Sequence, residues 1–266
     1  MKTLIYDNEC PLCTAYTGAF VKTGVLQKEG RKNFNEVSPR LLQQLDTQRS
    51  HDEIPLIDNN TGQVWYGIDA LLEIVGDKLP FIKTICKWKP INFLIKKIYK
   101  LISYNRKVIV AIQPAGYDCS PSFNTRYRIL FLLLGLVWNS WLFTHTIPLL
   151  SKTAFTNTTA MQLLWAHYSL VAINICIALL LGRQKGLGYL GQVNMLAITG
   201  ILLLLPLMAL QHILALKLQL ILLGVIVAFM ANEYVRRMRY AGIINNDKIV
   251  VTINAASLVG CILYLT

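Results

Sequence analysis

Two cysteines near the N-terminus have the spacing of a redox pair. Cys10 and Cys13 stand two residues apart in "YDNECPLC", Pro11 directly follows the first cysteine, and Asp7 lies three residues before it. Thiols at this spacing can form a reversible disulfide, supply half of a metal site, or pack as small apolar side chains. The elements that position the two thiols decide between these possibilities.

The elements predicted around the pair follow the order of an α/β redox domain. They are strand "KTLIY", helix 11–27, strand "RKNFNEVS", helix "PRLLQQLDTQR", strands "EIPLID" and "QVWYG" joined by the hairpin turn "NNTG", and helix "IDALLEIVG". The order is βαβαββα, and the pair lies where the first strand meets the first helix. This arrangement predicts a thioredoxin-like core over residues 1–77, with the pair as a redox dithiol.

The position of the pair at a helix start predicts a role for each thiol. Cys10 faces unpaired backbone N–H groups and the positive end of the helix dipole, which favour the thiolate. Cys13 lies one turn deeper, where the chain shields it. We therefore predict that Cys10 attacks and Cys13 resolves the mixed disulfide. Asp7 is either the proton acceptor for Cys13 or a turn-forming aspartate.

These residues resemble a known family. "YDNECPLC" is similar to the Asp-x-x-Cys-x-x-Cys signature of the DCC family of thiol-disulfide oxidoreductases, and "VWYGIDALLEIVG" and "IYKLISYNR" are similar to its later segments. The resemblance covers about residues 3–107. It implies a thioredoxin-like fold and a redox dithiol at Cys10 and Cys13 with Asp7 beside it. It also implies that Pro55, after Ile54, is a cis-proline held against the disulfide.

The cysteines could also serve as metal ligands, as a structural pair or as an accessory thiol. A structural zinc site needs four ligands, but the chain has one CxxC pair, with Cys86, Cys119 and His51 isolated from it. We therefore expect no metal and no cofactor, although a purely structural pair stays an alternative. Cys119, in "YDCSPSFN", is either an accessory thiol that exchanges with Cys10 or a loop cysteine packed against the first span.

The rest of the chain has the composition of a membrane protein. Of the 266 residues, 54% are hydrophobic and only 15% charged, and the mean hydropathy is +0.45. A soluble domain carries about 25% charged residues. Apolar stretches of spanning length lie at about 129–149, 162–182, 189–213, 214–234 and 247–266. We predict an all-α transmembrane bundle of about five spans over residues 127–266.

The charge distribution predicts three segments and an orientation. The net charge is −4 over residues 1–77, +9 over 78–126 and +7 over 127–266. The middle segment is a basic connector whose amphipathic helix "INFLIKKIYKLISYNR" can lie on an anionic leaflet or cap the core. No signal peptide is evident at the N-terminus. Strongly basic span ends alternate with ends that carry only Lys152 and Lys217, which predicts a cytoplasmic N-terminus and an external C-terminus.

The function predicted from these features is that of a membrane-tethered thiol-disulfide oxidoreductase. The expected partners are a thiol or disulfide protein, or a small thiol, and the lipid bilayer. Nucleic acid is not expected, because the positive charge lies beside apolar spans. We expect an integral protein of a bacterial plasma (inner) membrane, and the sequence indicates no oligomeric state. The alternative is a non-enzymatic module that senses redox state or docks a partner for the membrane domain.

Overall fold

A computed structural model describes residues 1–112 and 121–266 and divides the chain into two compact units, Met1–Tyr127 and Arg128–Thr266. In its described part, the first unit builds four strands and six helices. They are β1 Lys2–Tyr6, α1 Pro11–Lys22, β2 Arg31–Asn33, α2 Pro39–Leu42, α3 Thr47–Asp52, β3 Pro55–Asp58, β4 Val64–Tyr66, α4 Gly67–Lys78, α5 Pro80–Lys87 and α6 Lys89–Val110. This order confirms the predicted α/β thioredoxin-like fold.

The four strands form one mixed sheet in the order β2-β1-β3-β4. β1 pairs in parallel with β2 through the α1 crossover, and β3 runs antiparallel to both β1 and β4. Successive side chains alternate between the two sheet faces. Leu4 and Leu56 accordingly enter the core that contains both cysteines, whereas Ile5 and Ile57 enter a second core on the other face.

The second strand and second helix are shorter than the sequence patterns predicted. The stretch "RKNFNEVS" is extended only over Arg31–Asn33, because the Asn33 side chain accepts hydrogen bonds from the N–H groups of Asn35 and Glu36 and starts a 3-10 turn. The helix predicted over 39–49 is broken. Asp46 begins a separate helix, α3, by accepting from the N–H of Arg49 at 3.0 Å.

The basic connector is part of the first compact unit. α6 packs against α1 and α4, and α5 packs against α4. Tyr99, on α6, packs against the core that contains the cysteines. Of the two roles expected for this helix, capping the core is the one that these contacts show. The three-part division of the chain at residues 77 and 126 stays a prediction.

The second unit is all-helical in its described residues. Its helices are α7 Thr125–Thr153, which starts at the end of the first unit, α8 Ala160–Leu180, α9 Arg183–Leu210, α10 Leu216–Tyr240, α11 Ile243–Asn246 and α12 Lys248–Leu265. All except α11 are long and apolar enough to cross a membrane, by length and composition. This confirms the predicted helical bundle of five candidate spans.

Polar side chains link the helices of the second unit. The Asn254 amide donates to the hydroxyls of Tyr189 at 2.8 Å and Tyr234 at 3.0 Å, and the Tyr189 hydroxyl donates to Asn174. These four residues come from α8, α9, α10 and α12. Asn174 and Asn254 are therefore joined to other helices through the two tyrosine hydroxyls.

A second polar link joins α7 and α9. The Asn139 amide donates to the side-chain oxygen of Asn194 at 3.0 Å. Gly135 lies one turn before Asn139, and a Cβ there would come within 2.0 Å of the Asn194 side chain. The two helices can approach this closely because position 135 carries no side chain.

Candidate active site

Cys10 lies at the N-terminus of α1, as predicted. It is the residue before the helix and has extended backbone angles, with Pro11 in the first helical turn. Its carbonyl accepts the first helical bond from Thr14 at 2.9 Å, and its N–H donates to the carbonyl of Asp7 at 3.3 Å. The first N–H groups of a helix have no partner within the helix, so the Cys10 sulfur lies beside the positive end of the helix dipole.

Cys13 is enclosed one turn further into α1. Its side chain is 5% exposed, and it lies in the hydrophobic core with Leu4, Ile54 and Leu56. Its sulfur accepts two hydrogen bonds, from the Tyr16 hydroxyl at 3.7 Å and from Arg106 Nη1 at 3.9 Å. Both cysteines are reduced, with no disulfide between them.

The two thiols have opposite acidities. The pKa of Cys10 is lowered to about 6, because the Cys13 thiol and backbone N–H donate to its sulfur and the charge of Arg106 lies nearby, against the opposing effect of burial. The pKa of Cys13 is raised by its hydrogen bond to Cys10, by burial and by the negative charge of Cys10. At neutral pH the pair therefore holds one thiolate, on Cys10, and one thiol, on Cys13.

The helix α6 binds residues 51–54, which are the last two residues of α3 and the two residues that lead into β3. This segment, here called the 51–54 loop, lies beside the dithiol. Successive turns of α6 bind successive residues of the loop in reverse order. Arg106 Nη2 donates to the His51 carbonyl at 3.0 Å, and Ser103 donates to the Asp52 carbonyl at 2.5 Å. Tyr104 donates to the Asp52 carboxylate at 3.1 Å, and Lys100 forms an ion pair with Glu53 at 3.7 Å. The Ile54 N–H donates to the Tyr99 hydroxyl at 3.0 Å.

Comparison with known proteins agrees with this geometry. Residues 4–111 match the DCC1-like thiol-disulfide oxidoreductase family. The match runs from β1 to the residue after α6, so it includes the dithiol, the 51–54 loop and the helix that binds the loop. It confirms the resemblance stated from the motifs. No curated protein and no solved structure shows significant similarity to the chain.

The expectation of a cis-proline in the DCC1-like segment is wrong. No peptide bond within the described residues is cis, so the Ile54–Pro55 bond is trans. Both backbone groups of Ile54 are bound in this trans arrangement. Its N–H donates to Tyr99, and its carbonyl accepts from the N–H of Gly67 at 2.8 Å. Pro55 is nonetheless buried at the start of β3, directly before Leu56 and Ile57 of the sheet. Its role in the site stays a prediction.

Asp7 follows β1 and is nearly buried, with 8% of its side chain exposed. Its carboxylate accepts from the N–H of Glu9 at 2.9 Å, which is the contact of a turn-forming aspartate. Its negative charge also raises the pKa of Cys10 and that of Arg106. Asp7 is thus electrostatically coupled to the dithiol, while its role as a proton acceptor stays a prediction.

The other cysteines are placed as follows. Cys119, the predicted accessory thiol, lies outside the described residues. Cys86 is partly buried in α5 and is a free thiol. Within residues 1–112 and 121–266, no three His, Cys, Asp or Glu side chains come together at metal-binding distance.

Sequence reasoning missed three side chains of the site: Tyr16, Tyr99 and Arg106. Tyr16 lies three residues after Cys13 on the same helix, so its position on the same face was available as a signal. Tyr99 and Arg106 lie within "IYKLISYNR", a segment that resembles the family and has an amphipathic pattern. Their spacing of seven residues places both on one face of α6, which was the available signal.

Proposed function

We propose that this protein is a membrane-tethered thiol-disulfide oxidoreductase in which Cys10 attacks and Cys13 resolves. The observation that carries the proposal is the contrast between the two thiols. Cys10 has a pKa of about 6 at a helix N-terminus, whereas Cys13 is enclosed and has a raised pKa. A thiolate is the nucleophile in disulfide exchange, so the contrast supports attack by Cys10.

The proposed half-reaction balances without a cofactor. The Cys10 thiolate attacks one sulfur of a substrate disulfide, forms a mixed disulfide and expels the first substrate thiolate. Cys13 loses its proton, attacks the Cys10 sulfur and expels the second substrate thiolate. The substrate disulfide is reduced by two electrons, and the dithiol becomes the Cys10–Cys13 disulfide. In the reverse direction the protein disulfide oxidises a substrate dithiol.

The proposed substrate is a protein or small molecule with a thiol or disulfide on the cytoplasmic side of the membrane. The membrane attachment is supported by the five candidate spans. The orientation is supported by basic residues at alternate span ends, as in Arg183 and Lys185 at the start of α9 and Arg236, Arg237 and Arg239 at the end of α10.

A single-turnover assay of the full chain tests the proposal. The starting protein is a variant in which Cys86, Cys119, Cys176 and Cys261 are replaced by serine, here called the two-cysteine protein. It is reduced, reconstituted in nanodiscs and mixed with a chromogenic aromatic disulfide. We expect two thiolates to be released per chain, one when Cys13→Ser is added and none rapidly when Cys10→Ser is added.

The same assay separates the enzyme from the alternative module. A partner-docking or redox-sensing module would bind its partner equally well with Cys10→Ser and would show no burst of thiolate release. Absence of the burst in the two-cysteine protein, with Cys10 confirmed as reduced by mass spectrometry, would contradict the proposed oxidoreductase.

A further inference from the structure

A guanidinium group reaches the enclosed thiol from a helix that the thioredoxin-like core does not contain. Arg106, near the C-terminal end of α6, lies 93 residues after Cys13 in the chain. Its Nη1 donates to the Cys13 sulfur at 3.9 Å, and its Nη2 donates to the His51 carbonyl at 3.0 Å. The second bond fixes the guanidinium plane, so the charge is held against the sulfur rather than free to turn toward solvent.

We propose that Arg106 is a catalytic residue of the resolution step, in which its guanidinium stabilises the Cys13 thiolate while that thiolate attacks the mixed disulfide on Cys10. The inference rests on the oxidoreductase function proposed above and adds a residue to it. The attacking and the resolving thiol then have different electrostatic supports. Cys10 has the N-terminus of α1, and Cys13 has a cation from α6.

The charged groups around Cys13 differ between the reduced pair and the mixed disulfide. In the reduced pair, the Cys13 thiol donates a hydrogen bond to the Cys10 thiolate, and Cys13 itself stays neutral. Once Cys10 has entered a mixed disulfide, that anion is gone. Tyr16 on α1 and Tyr99 and Arg106 on α6 are the groups that then act on the Cys13 sulfur. The fourth charged group of the site, Asp7 before α1, acts on Cys10 and on Arg106.

Among these four groups, the positive charge is that of Arg106. Burial raises the pKa of both tyrosines, so they are neutral at pH 8. Burial opposes the charge on Arg106, but the negative charges of Cys13, Cys10 and Asp7 outweigh it and raise the pKa of the guanidinium. Arg106 therefore stays positive throughout the cycle, and a sulfur that must ionise inside the core has a cation in contact with it.

The step remains balanced with Arg106 in place. Cys13 gives up its proton to Asp7, the proposed acceptor, and attacks the Cys10 sulfur. The bond between Cys10 and the substrate sulfur breaks, the Cys10–Cys13 bond forms, and the substrate leaves as a thiolate. Arg106 neither gives nor takes a proton or an electron. Its charge lowers the energy of the Cys13 thiolate as that anion forms.

The size of the effect can be set from the distance. An opposite charge at about 4 Å lowers a thiol pKa by about 1–3 units. Thiolate nucleophilicity falls with pKa, with a Brønsted coefficient of about 0.4–0.5, which offsets about half of the gain. Removing the charge should therefore slow resolution about 4- to 40-fold.

The test compares the two phases of thiolate release at pH 8 in the two-cysteine protein. Cys10, with a pKa of about 6, is fully ionised there, so Arg106→Gln should change the first phase less than about twofold. The second phase should slow about 4- to 40-fold, and its pH profile should move to higher pH. Arg106→Lys should recover part of the rate, because lysine keeps the charge but cannot bind the sulfur and the carbonyl in a fork.

Ser103→Ala is the matched control. It removes another bond from α6 to the same loop, the 2.5 Å bond to the Asp52 carbonyl, without changing a charge at the sulfur. Equal slowing of the second phase by Ser103→Ala and Arg106→Gln would overturn the proposal and leave Arg106 as a structural tie. An unchanged second phase in Arg106→Gln would also overturn it. If the unsubstituted protein shows no burst, the oxidoreductase proposal itself has failed, which is a different result.

Discussion

At the scale of single residues, the dithiol is asymmetric because its two sulfurs lie one helical turn apart. Cys10 receives hydrogen bonds from the thiol and the N–H of Cys13, which stabilise its anion. Cys13 has the sulfur of Cys10 as a neighbour and a hydrophobic core around it. One local geometry therefore lowers one pKa and raises the other, and the reactivity of the pair should show this contrast.

The pH dependence of alkylation should show it directly. The lowered pKa of Cys10 means that its thiolate forms as the pH rises through about 6, so labelling by iodoacetamide should rise there and level off by about pH 7.5. An ordinary thiol would keep gaining reactivity up to about pH 8.5 and above. Cys13→Ala removes the donated thiol proton, so the midpoint for Cys10 should move upward. Mass spectrometry of the labelled peptide gives the site, and rapid labelling of Cys13 with protection of Cys10 would reverse the proposed roles.

Asp7→Asn should also separate the two steps, again by slowing resolution. Asparagine keeps an oxygen for the 2.9 Å bond from the Glu9 N–H, so the turn is preserved. The negative charge of Asp7 raises the pKa of Cys10, so its removal lowers that pKa and leaves attack at pH 8 unchanged. Resolution should slow, because the proton of Cys13 loses its proposed acceptor. The two-phase release assay measures both rates, and two unchanged rates would leave Asp7 as a turn former.

The sequence predicted the part of the site that is local in the chain. The spacing of Cys10, Pro11 and Cys13 at a strand–helix junction was sufficient, because the helix start determines both burial and dipole. It could not predict Arg106 or Tyr99 at Cys13, since their approach depends on how α6 packs on α1 and α4. The cis geometry expected for Pro55 came from resemblance alone, and here Gly67 and Tyr99 bind the backbone of Ile54 in the trans form.

At the scale of elements, α6 belongs to the site although it follows the thioredoxin-like core. Its bonds to residues 51–54 determine where β3 begins and where Arg106 lies. The start of α4 adds to this attachment. Gly67 donates its N–H to the Ile54 carbonyl, has a φ of +60°, and lies where a Cβ would be 3.0 Å from the Tyr99 ring.

Gly67→Ala should therefore loosen α6 from the core. The left-handed backbone costs about 1–2 kcal/mol for a residue with a Cβ, and the contact with Tyr99 adds to that cost. The measurement is urea-dependent exposure of Cys13 to alkylation in the two-cysteine protein, and we expect a lower midpoint. Gly62→Ala is the control. Gly62 has a φ of +72° with no atom within 4 Å of the added Cβ, so it carries the backbone strain without the contact. Equal midpoints for the two variants would exclude a role for the Tyr99 contact.

At the scale of the whole molecule, the second unit holds its helices together with polar side chains that are buried or partly buried. Asn254 on α12 donates to hydroxyls of α9 and α10, so Asn254→Leu removes two bonds between helices and leaves two tyrosine hydroxyls with one partner fewer. Such bonds within membrane bundles contribute about 0.6–2 kcal/mol each. We expect a lower unfolding temperature in detergent. Ser257→Ala is the control on the same helix, since the Ser257 hydroxyl donates to the Ile253 carbonyl of its own helix.

The composition of the second unit was sufficient to predict how many spans there are, but not which polar residues pair. Apolar stretches of about 20 residues mark spans by length alone, and all five coincide with long helices. Asn194 and Tyr189 were not singled out, because their partners depend on the rotation of each helix about its axis. The network that they form is visible only after the helices are packed.

The charges at the span ends predict the membrane topology of the second unit. Lys185, after α8, forms an ion pair with Asp247, which precedes α12, so the α8–α9 and α10–α12 links lie at one end of the second unit. Both links are basic, whereas Lys152 and Lys217 are the lysines of the opposite links. By the positive-inside rule we expect the basic end to be cytoplasmic and, after five spans, residue 266 to lie outside.

Single cysteines placed in a cysteine-free protein can test this topology with a membrane-impermeant thiol reagent on intact cells. A cysteine at Thr266 should label in intact cells, and one at Asn245, between α10 and α12, should label only after the membrane is opened. Labelling of both positions in intact cells would contradict a crossing by α12 and so the five-span model. Protection of Thr266 in intact cells with labelling after lysis would also contradict it and, with a cytoplasmic N-terminus, would require an even number of crossings.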